Sequence, residues 1–571
     1  MPAPGSPAPQ PVLPPQLFPA GAGPVPGSVH EAYVAERLGE VGDFGDRTLA
    51  EHVRAHARDR ADRTAYVEGE LRLSWSQLDD LADRLAGVLV EAGLEPGERV
   101  AVLYPDGPVV HALYLATERA GLIAVGIGPR AGELEVRHLV TLSGATALVT
   151  APEHRGQDTA ELATALRAAG APLRRHVQVD QYRPGRVLVD GEPARELDPA
   201  GRAGVLGARA LGLGDVWLLN STSGTTGMPK CVVHSQNRWL YYHSQVQQTI
   251  ELTAEDVIFS LIPAPYGFGI WTAHAIPIQL GATTVTMARF DAGGAARLVE
   301  RERATVLAAV TTQFIMMLNS PELAGADVSS LRCMYTGGEA IPYQRAAEFE
   351  ERTGAVVLNF YGSNETGMLS YTASSDDREH RLTTGGRVVP DMRVRLFDEA
   401  FADVADRPGQ SGCRGPATSL GYYADPVANA TLFSPDGWML TGDLCTVDDE
   451  DYLRVVGRTS DFIIRGGKNV SAAAVEEQVG SHPAVAMAAA IAVPDDVFGE
   501  RVCAVVQLHP GATLELAELT AHLAGRGVSK DVWPERLEVL PELPRSSGGK
   551  VAKGVLRETY GARSASVPTA G

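Results

Sequence analysis

Cysteine is sparse and unpatterned: Cys231, Cys333, Cys413, Cys445 and Cys503 are scattered, odd in number and free of any C-x-x-C pair. That excludes a disulfide framework and a cysteine-built zinc site, and it fits a reducing compartment. Positive charge is also short, with 50 Lys and Arg against 70 Asp and Glu and a net charge of −20. Nucleic-acid binding needs a basic face to displace counterions, so no nucleic-acid partner is expected, and a polybasic membrane anchor is equally disfavoured. No apolar run approaches the length that spans a bilayer, so no membrane partner is expected either. The N-terminus is rich in Pro, Gly and Ala. It lacks a basic segment followed by an apolar one, so it reads as a disordered tail rather than a signal peptide, and the protein as cytoplasmic. An acidic balance bears on solubility and leaves a local anion site open.

The chain has 571 residues, of which 44% are hydrophobic. That length implies more than one domain, with ample material for a core. Helical and strand patterns alternate: Leu49–Arg60, Gln77–Ala92 and Val109–Arg119 read as helices, Arg99–Tyr104, Ala147–Thr150, Asp215–Asn220, Val257–Ile262, Thr305–Val310 and Val356–Phe360 as strands. Arg174–Arg209, broken by Pro, Gly and Asp, reads as a surface excursion. Beyond Gly457 lies a smaller α/β unit, with helices at Ala473–Val479 and Leu514–Ala524 and strands at Val485–Val493, Val502–Leu508 and Arg536–Leu540. The expected fold is α/β: a disordered tail over 1–45, a large domain of mostly parallel sheets over 46–457, a small mobile domain over 458–562, and a second tail over 563–571.

One local pattern stands out. Ser221-Thr222-Ser223-Gly224-Thr225-Thr226-Gly227-Met228-Pro229-Lys230 follows a strand directly. Hydroxyls and glycines there offer backbone and side-chain donors to an anion, and Lys230 adds a charge. It is not a P-loop, since Pro229 stands where that motif needs glycine and Cys231 where it needs a hydroxyl. Three further clusters follow in order: Asn359-Phe360-Tyr361-Gly362-Ser363-Asn364-Glu365-Thr366, Thr441-Gly442-Asp443 with Gly457-Arg458, and Pro544-Arg545-Ser546-Ser547-Gly548-Gly549-Lys550-Val551. Each alone is a common turn or a solvated charge.

Together, from about Thr48 to Glu558, they resemble the acyl-adenylating superfamily of acyl- and aryl-CoA synthetases, peptide-synthetase adenylation domains and luciferases. The resemblance implies an enzyme that uses ATP and Mg²⁺ to activate a carboxylic acid as acyl-AMP, then passes the acyl group to coenzyme A. A carrier protein, whose phosphopantetheine would take the acyl group, is the alternative partner. Amine capture of the adenylate, including nitrite-dependent diazotisation, is a further one. In that scheme Thr222, Ser223, Gly224, Thr225, Thr226, Gly227 and Lys230 hold phosphate, and Gly337, Gly338 and Glu339 lie near adenine. Asn359, Gly362 and Ser363 belong to the turn where Tyr361 stacks on the base. Glu365 binds the metal, and Asn364 stands in the family's Thr position near the α-phosphate. Asp443 accepts from the ribose hydroxyls beside Arg458, and Lys550 is the catalytic cation. The resemblance further implies a hinge at Ser460, where Asp or Lys is usual, and a rotation that withdraws Lys550 and brings Gly466 and Gly467 to the thiol tunnel. Pro263-Ala264-Pro265-Tyr266-Gly267-Phe268-Gly269 is nearest to benzoate-type CoA ligases, with Tyr266 replacing a gating histidine. Tyr266, Gly267, Phe268, Gly337 and Gly362 are therefore the expected acid-pocket residues, and an aryl acid the expected substrate. Monomer and homodimer both remain open.

Overall fold

The computed structural model describes residues 23–39, 44–222, 228–339, 341–404, 406–458, 461–465, 468–495, 497–546 and 550–561. Local signals start the helices. Thr48 caps Leu49–Asp59 by accepting from the Glu51 N–H while the Glu51 carboxylate takes the Thr48 N–H, and Ser74 and Gln77 do the same for Trp75–Glu91. Arg119 is buried between these helices because Asp79 and Asp83 both receive its guanidinium, at 2.5 and 2.8 Å.

The large body holds two sheets whose inner strands run parallel. In one, Val216–Ser221 lies parallel to Ile123–Ile127 and antiparallel to Cys231–Ser235. In the other, Val257–Ser260, Val306–Ala308, Cys333–Gly337 and Val356–Ser363 are consecutive parallel neighbours. Val216–Ser221, Val257–Ser260 and Val306–Ala308, covered on both faces, read as short apolar runs, which is why the sequence discloses them; Ile123–Ile127 and Cys333–Gly337, equally buried, were not expected. Both functional loops, after Ser221 and after Ser363, leave carboxyl ends of strands, where open α/β sheets bind ligands. A helical run over 267–280 widens to a π-helix across Ile270–Ala275, a local distortion common beside functional sites.

Two expectations need correction. Residues 174–209 are no excursion: Arg175–Val179 and Val187–Val189 extend the first sheet, with His176, Val177 and Val179 buried, and Pro199–Arg209 is a helix. Frequent Pro, Gly and Asp hide these short edge elements. The stretch 1–45 is not all tail, because Val29–Leu38 forms a helix that buries Tyr33 and Val34. The Tyr33 hydroxyl donates to Ser419 O at 2.7 Å and Arg37 to Pro416 O at 2.8 Å. Beside its mostly parallel sheets the large body also contains an antiparallel one, Arg393–Phe397, Gly409–Arg414, Met439–Val447 and Leu453–Arg458.

The small body folds Val485–Asp495 against Gly499–Leu508, with Arg536–Leu540 parallel to the latter. One face of its sheet joins the large body: Met487, Ile491, Leu543 and Leu556 share a buried cluster with Phe314 and Met317 of the helix Thr311–Asn319. No helix among the described residues is long and apolar enough to cross a membrane.

Candidate active site

The glycine loop is closed at its neck by two bonds, Thr222 N–H to Lys230 O at 2.9 Å and Lys230 N–H to Thr222 Oγ1 at 3.0 Å. His138 donates through Nε2 to Pro229 O at 3.0 Å, a direction set by the carbonyl being only an acceptor. Ser223, Gly224, Thr225, Thr226 and Gly227 lie outside the described residues. The Lys230 ammonium sits 4.9 Å from the centre of the Tyr422 ring, and the Tyr422 hydroxyl donates to Glu365 Oε1 at 2.7 Å. Tyr422 thus stands between loop and turn, although no sequence pattern singled it out.

Asp443 and Arg458 face each other on adjacent antiparallel strands. Arg458 Nε donates to Asp443 Oδ1 at 2.9 Å, and the Tyr361 hydroxyl donates to Oδ2 at 2.8 Å. Thr441 Oγ1 accepts the Asp443 N–H at 3.0 Å. Burial above all, with Cys445 and the Asp443 carboxylate beside it, pushes the Tyr361 phenol well up, so its proton stays in that bond. The Asn359 side-chain amide is occupied in the sheet, donating to Thr384 O at 2.7 Å, and Ser363 Oγ bonds Thr366 Oγ1 at 3.1 Å.

Lys550 rides a hairpin in which Ser546 N–H bonds Lys550 O at 2.7 Å. From there it crosses to the large body, and Nζ donates to Gly338 O at 2.6 Å. Gly338 has φ +77°, which favours glycine, and a Cβ there would lie 2.9 Å from Nζ and push the lysine tip aside. Burial lowers the Lys550 pKa, the Glu339 carboxylate opposes that, Arg458 adds to it, and Asp443 and Glu365 oppose it from further off. Burial raises the Glu339 pKa in turn, and Lys550 counters. Lys550 thus lies in the field of three carboxylates, of which Asp443 is also paired with Arg458.

At the acid-pocket loop, Tyr266 is buried against Ile262 and Val310. Phe268 and Trp271 pack edge-on to Phe360 at 4.6 and 4.8 Å between centroids, and Trp271 lies 5.4 Å from Tyr335. Gly337 and Gly362 are confined by the main chain: a Cβ would meet Phe360 O at 2.5 Å in one case and Gly367 O at 1.8 Å in the other. The Gly267 N–H donates to Asn364 Oδ1 at 2.8 Å, so the Asn364 oxygen faces the acid loop. Ser460, Gly466 and Gly467 lie outside the described residues. Among the described residues no cluster of three or more His, Cys, Asp or Glu side chains could hold a metal ion.

A small α/β body that sends a lysine onto a loop of a large one is the arrangement observed, and similarity to known proteins gives its class. The chain belongs to the AMP-binding enzyme family: residues 53–423 match the family itself and residues 474–550 its C-terminal domain. It is similar to the 2-hydroxy-7-methoxy-5-methyl-1-naphthoate–CoA ligase of Streptomyces carzinostaticus, with 32% identity over 95% of this chain and 98% of the relative. It is also similar to the salicyl-AMP ligase / salicyl-S-ArCP synthetase of Mycobacterium tuberculosis, with 32% identity over 92% of this chain and 93% of the relative. Among solved structures, ATP-bound MatB from Rhodopseudomonas palustris superposes with a TM-score of 0.76 at 27% identity, covering 90% of this chain and 99% of that one. The protein is an AMP-forming acid–thiol ligase, which couples an acid to AMP from ATP and then transfers the acyl group to the thiol of coenzyme A or a carrier.

Proposed function

We propose that the acid is aromatic and that coenzyme A is the acceptor. The observation that carries the first part is the set of aromatic side chains, Phe268, Trp271, Tyr335 and Phe360, gathered beside Gly267, Gly337 and Gly362. Flat rings pack edge to face on such side chains. The buried cation Arg238 spends both its Nη groups on His234, Tyr242 and Asn364 O, so the proposed pocket favours an acid without a second anionic group. The Streptomyces relative acts on a naphthoate and the Mycobacterium relative on salicylate, which supports the same class.

In this reading Asp443 and Arg458 hold the ribose, with Tyr361 at the base. Lys550 neutralises charge between the attacking carboxylate and the α-phosphate, so two anions can meet in line. Glu365 fits Mg²⁺, since Tyr422 engages only one of its oxygens and a hard cation shared with phosphate needs few protein ligands. When bound, the ion would neutralise the departing pyrophosphate. Glu339 keeps Lys550 charged against its burial. Ser460 as hinge and Gly466-Gly467 as tunnel wall belong to the thiol step of the same proposal.

A screen of acid-dependent pyrophosphate release tests it, run over aryl, alkenoyl and amino acids with and without coenzyme A. Aryl acids should turn over and yield acyl-CoA; preference for alkenoyl or amino acids would refute the substrate class. Because the Mycobacterium relative is named for a carrier-bound product, a phosphopantetheinylated carrier is the second acceptor to test. Thioester on carrier alone would replace coenzyme A in the proposal.

A further inference from the structure

A chain of buried polar side chains runs behind the site from the large body's interior to the acid loop. Arg238 and His234, four residues apart, bond through Nη1 and Nδ1 at 2.6 Å. His234 Nε2 meets Asn220 Oδ1 at 2.5 Å, and Asn220 Nδ2 donates to Asn364 Oδ1 at 3.3 Å. Asn364 Oδ1 also takes the Gly267 N–H at 2.8 Å, and Asn364 O takes Arg238 Nη1 at 3.1 Å. Asn220 and His234 have no exposed surface and Arg238 has 1%.

The direction of every bond follows from one group. A guanidinium only donates, so His234 Nδ1 accepts, and the imidazole proton sits on Nε2. Asn220 must then offer its oxygen to His234 and its nitrogen to Asn364. Asn364 therefore faces two donors, Asn220 Nδ2 and the Gly267 N–H, and both require its oxygen. Its NH₂ is left on the half-exposed side, and among the described residues nothing accepts from it. Burial and the Arg238 charge both hold His234 neutral, so this polarity does not reverse with pH. Gly267 is needed for the approach, because a Cβ there would lie 2.2 Å from Asn364 Oδ1.

We propose that Asn220, His234 and Arg238 are positioning residues that lock the Asn364 amide with its nitrogen outward, as a hydrogen-bond donor to an oxyanion in adenylation. That oxyanion is the acid's carboxylate or the α-phosphate of the nucleotide. The proposal rests on the acid-activating reaction, and wild-type acid-dependent ATP–pyrophosphate exchange establishes that reaction separately. If wild type shows no exchange, the assigned reaction fails before the relay is tested.

Asn364→Asp keeps both acceptor bonds and removes the donor. Its exchange rate should fall about 100-fold with an unchanged melting temperature, the scale expected for one aimed donor. A rise in KM for the acid assigns the carboxylate, and a rise in KM for ATP assigns the α-phosphate. His234→Leu should cost about 10-fold by freeing Asn220 to flip. In an Asn364→Thr background the same change should cost less than about 2-fold, because a hydroxyl rotates and needs no orienting partner. Should His234→Leu fail to fold, Asn220→Asp serves instead: its oxygens cannot donate to Asn364, and the about 10-fold loss should again vanish beside Asn364→Thr. Equal losses in the two backgrounds, or an Asn364→Asp enzyme with wild-type exchange, would overturn the relay.

Discussion

Replacing Lys550 by alanine separates the two half-reactions. Nζ is the one ammonium that the small body sends to Gly338 O, and it lies in the field of Glu339, Asp443 and Glu365. A unit charge about 4 Å from a developing anion is worth about 4 kcal/mol at an effective dielectric near 20. At about 1.36 kcal/mol per decade that is roughly 10³ in rate, the upper end of what losing one aimed oxyanion donor costs. Acid-dependent ATP–pyrophosphate exchange should therefore drop about 10³-fold in Lys550→Ala. Thiolysis of a synthetic acyl-adenylate should stay within about 3-fold, since in the proposed thiol step the rotation has already withdrawn Lys550 before AMP leaves. The pH dependence has a definite sign. Because burial lowers the lysine's pKa from its ordinary 10.5, adenylation should decline on the alkaline side at a pH below that value. Transfer from the preformed adenylate should lack that limb. Exchange within tenfold of wild type in Lys550→Ala would refute the electrostatic role.

Tyr361→Phe deletes the 2.8 Å bond to Asp443 and should raise KM for ATP about 5- to 10-fold at near-constant kcat, in steady-state kinetics. Gly267→Ala puts a methyl carbon 2.2 Å from Asn364 Oδ1. It should raise KM for the acid at least about 10-fold while ATP binding, followed by calorimetry, is kept. Asp106 is buried near a neutral His111, and burial raises its pKa from 3.8 to about 8. The folded protein thus holds that proton more tightly than the unfolded chain, so stability falls as pH rises from about 4 towards 8. Asp106→Asn should remove that slope, raising the melting temperature at pH 8 and leaving it unchanged near pH 4.

The sequence discloses this enzyme where chemistry and regular spacing coincide. The glycine loop at a strand end, the Asp443–Arg458 pair on neighbouring strands and Lys550 on its hairpin were legible because each needs particular side chains in order. Several inner parallel strands were legible because both their faces are buried. What stayed hidden depends on distant residues meeting. Tyr422 is one tyrosine among 16 until Lys230 and Glu365 are seen on either side of it. His234 and Arg238 look like polar helix-entry residues until Asn220 and Asn364 complete the row. The antiparallel sheet ending at Arg458 escaped because its strands intersperse charged, polar and glycine residues among few apolar ones, and the helix Val29–Leu38 because a Pro-rich run precedes it.

The oily seam between the bodies has a thermal consequence. Phe314 and Met317 on one side and Met487, Ile491 and Leu556 on the other are dry when Lys550 is docked. In the proposed thiol step, swinging the small body away would wet that surface, and wetting apolar groups carries a positive heat capacity. The gap between the two arrangements must then bend with temperature, and chilling weakens the grip of the seam. The release that follows adenylation becomes easier in the cold relative to the chemistry it follows, so the slow step of a full turnover is set to change identity along a temperature series.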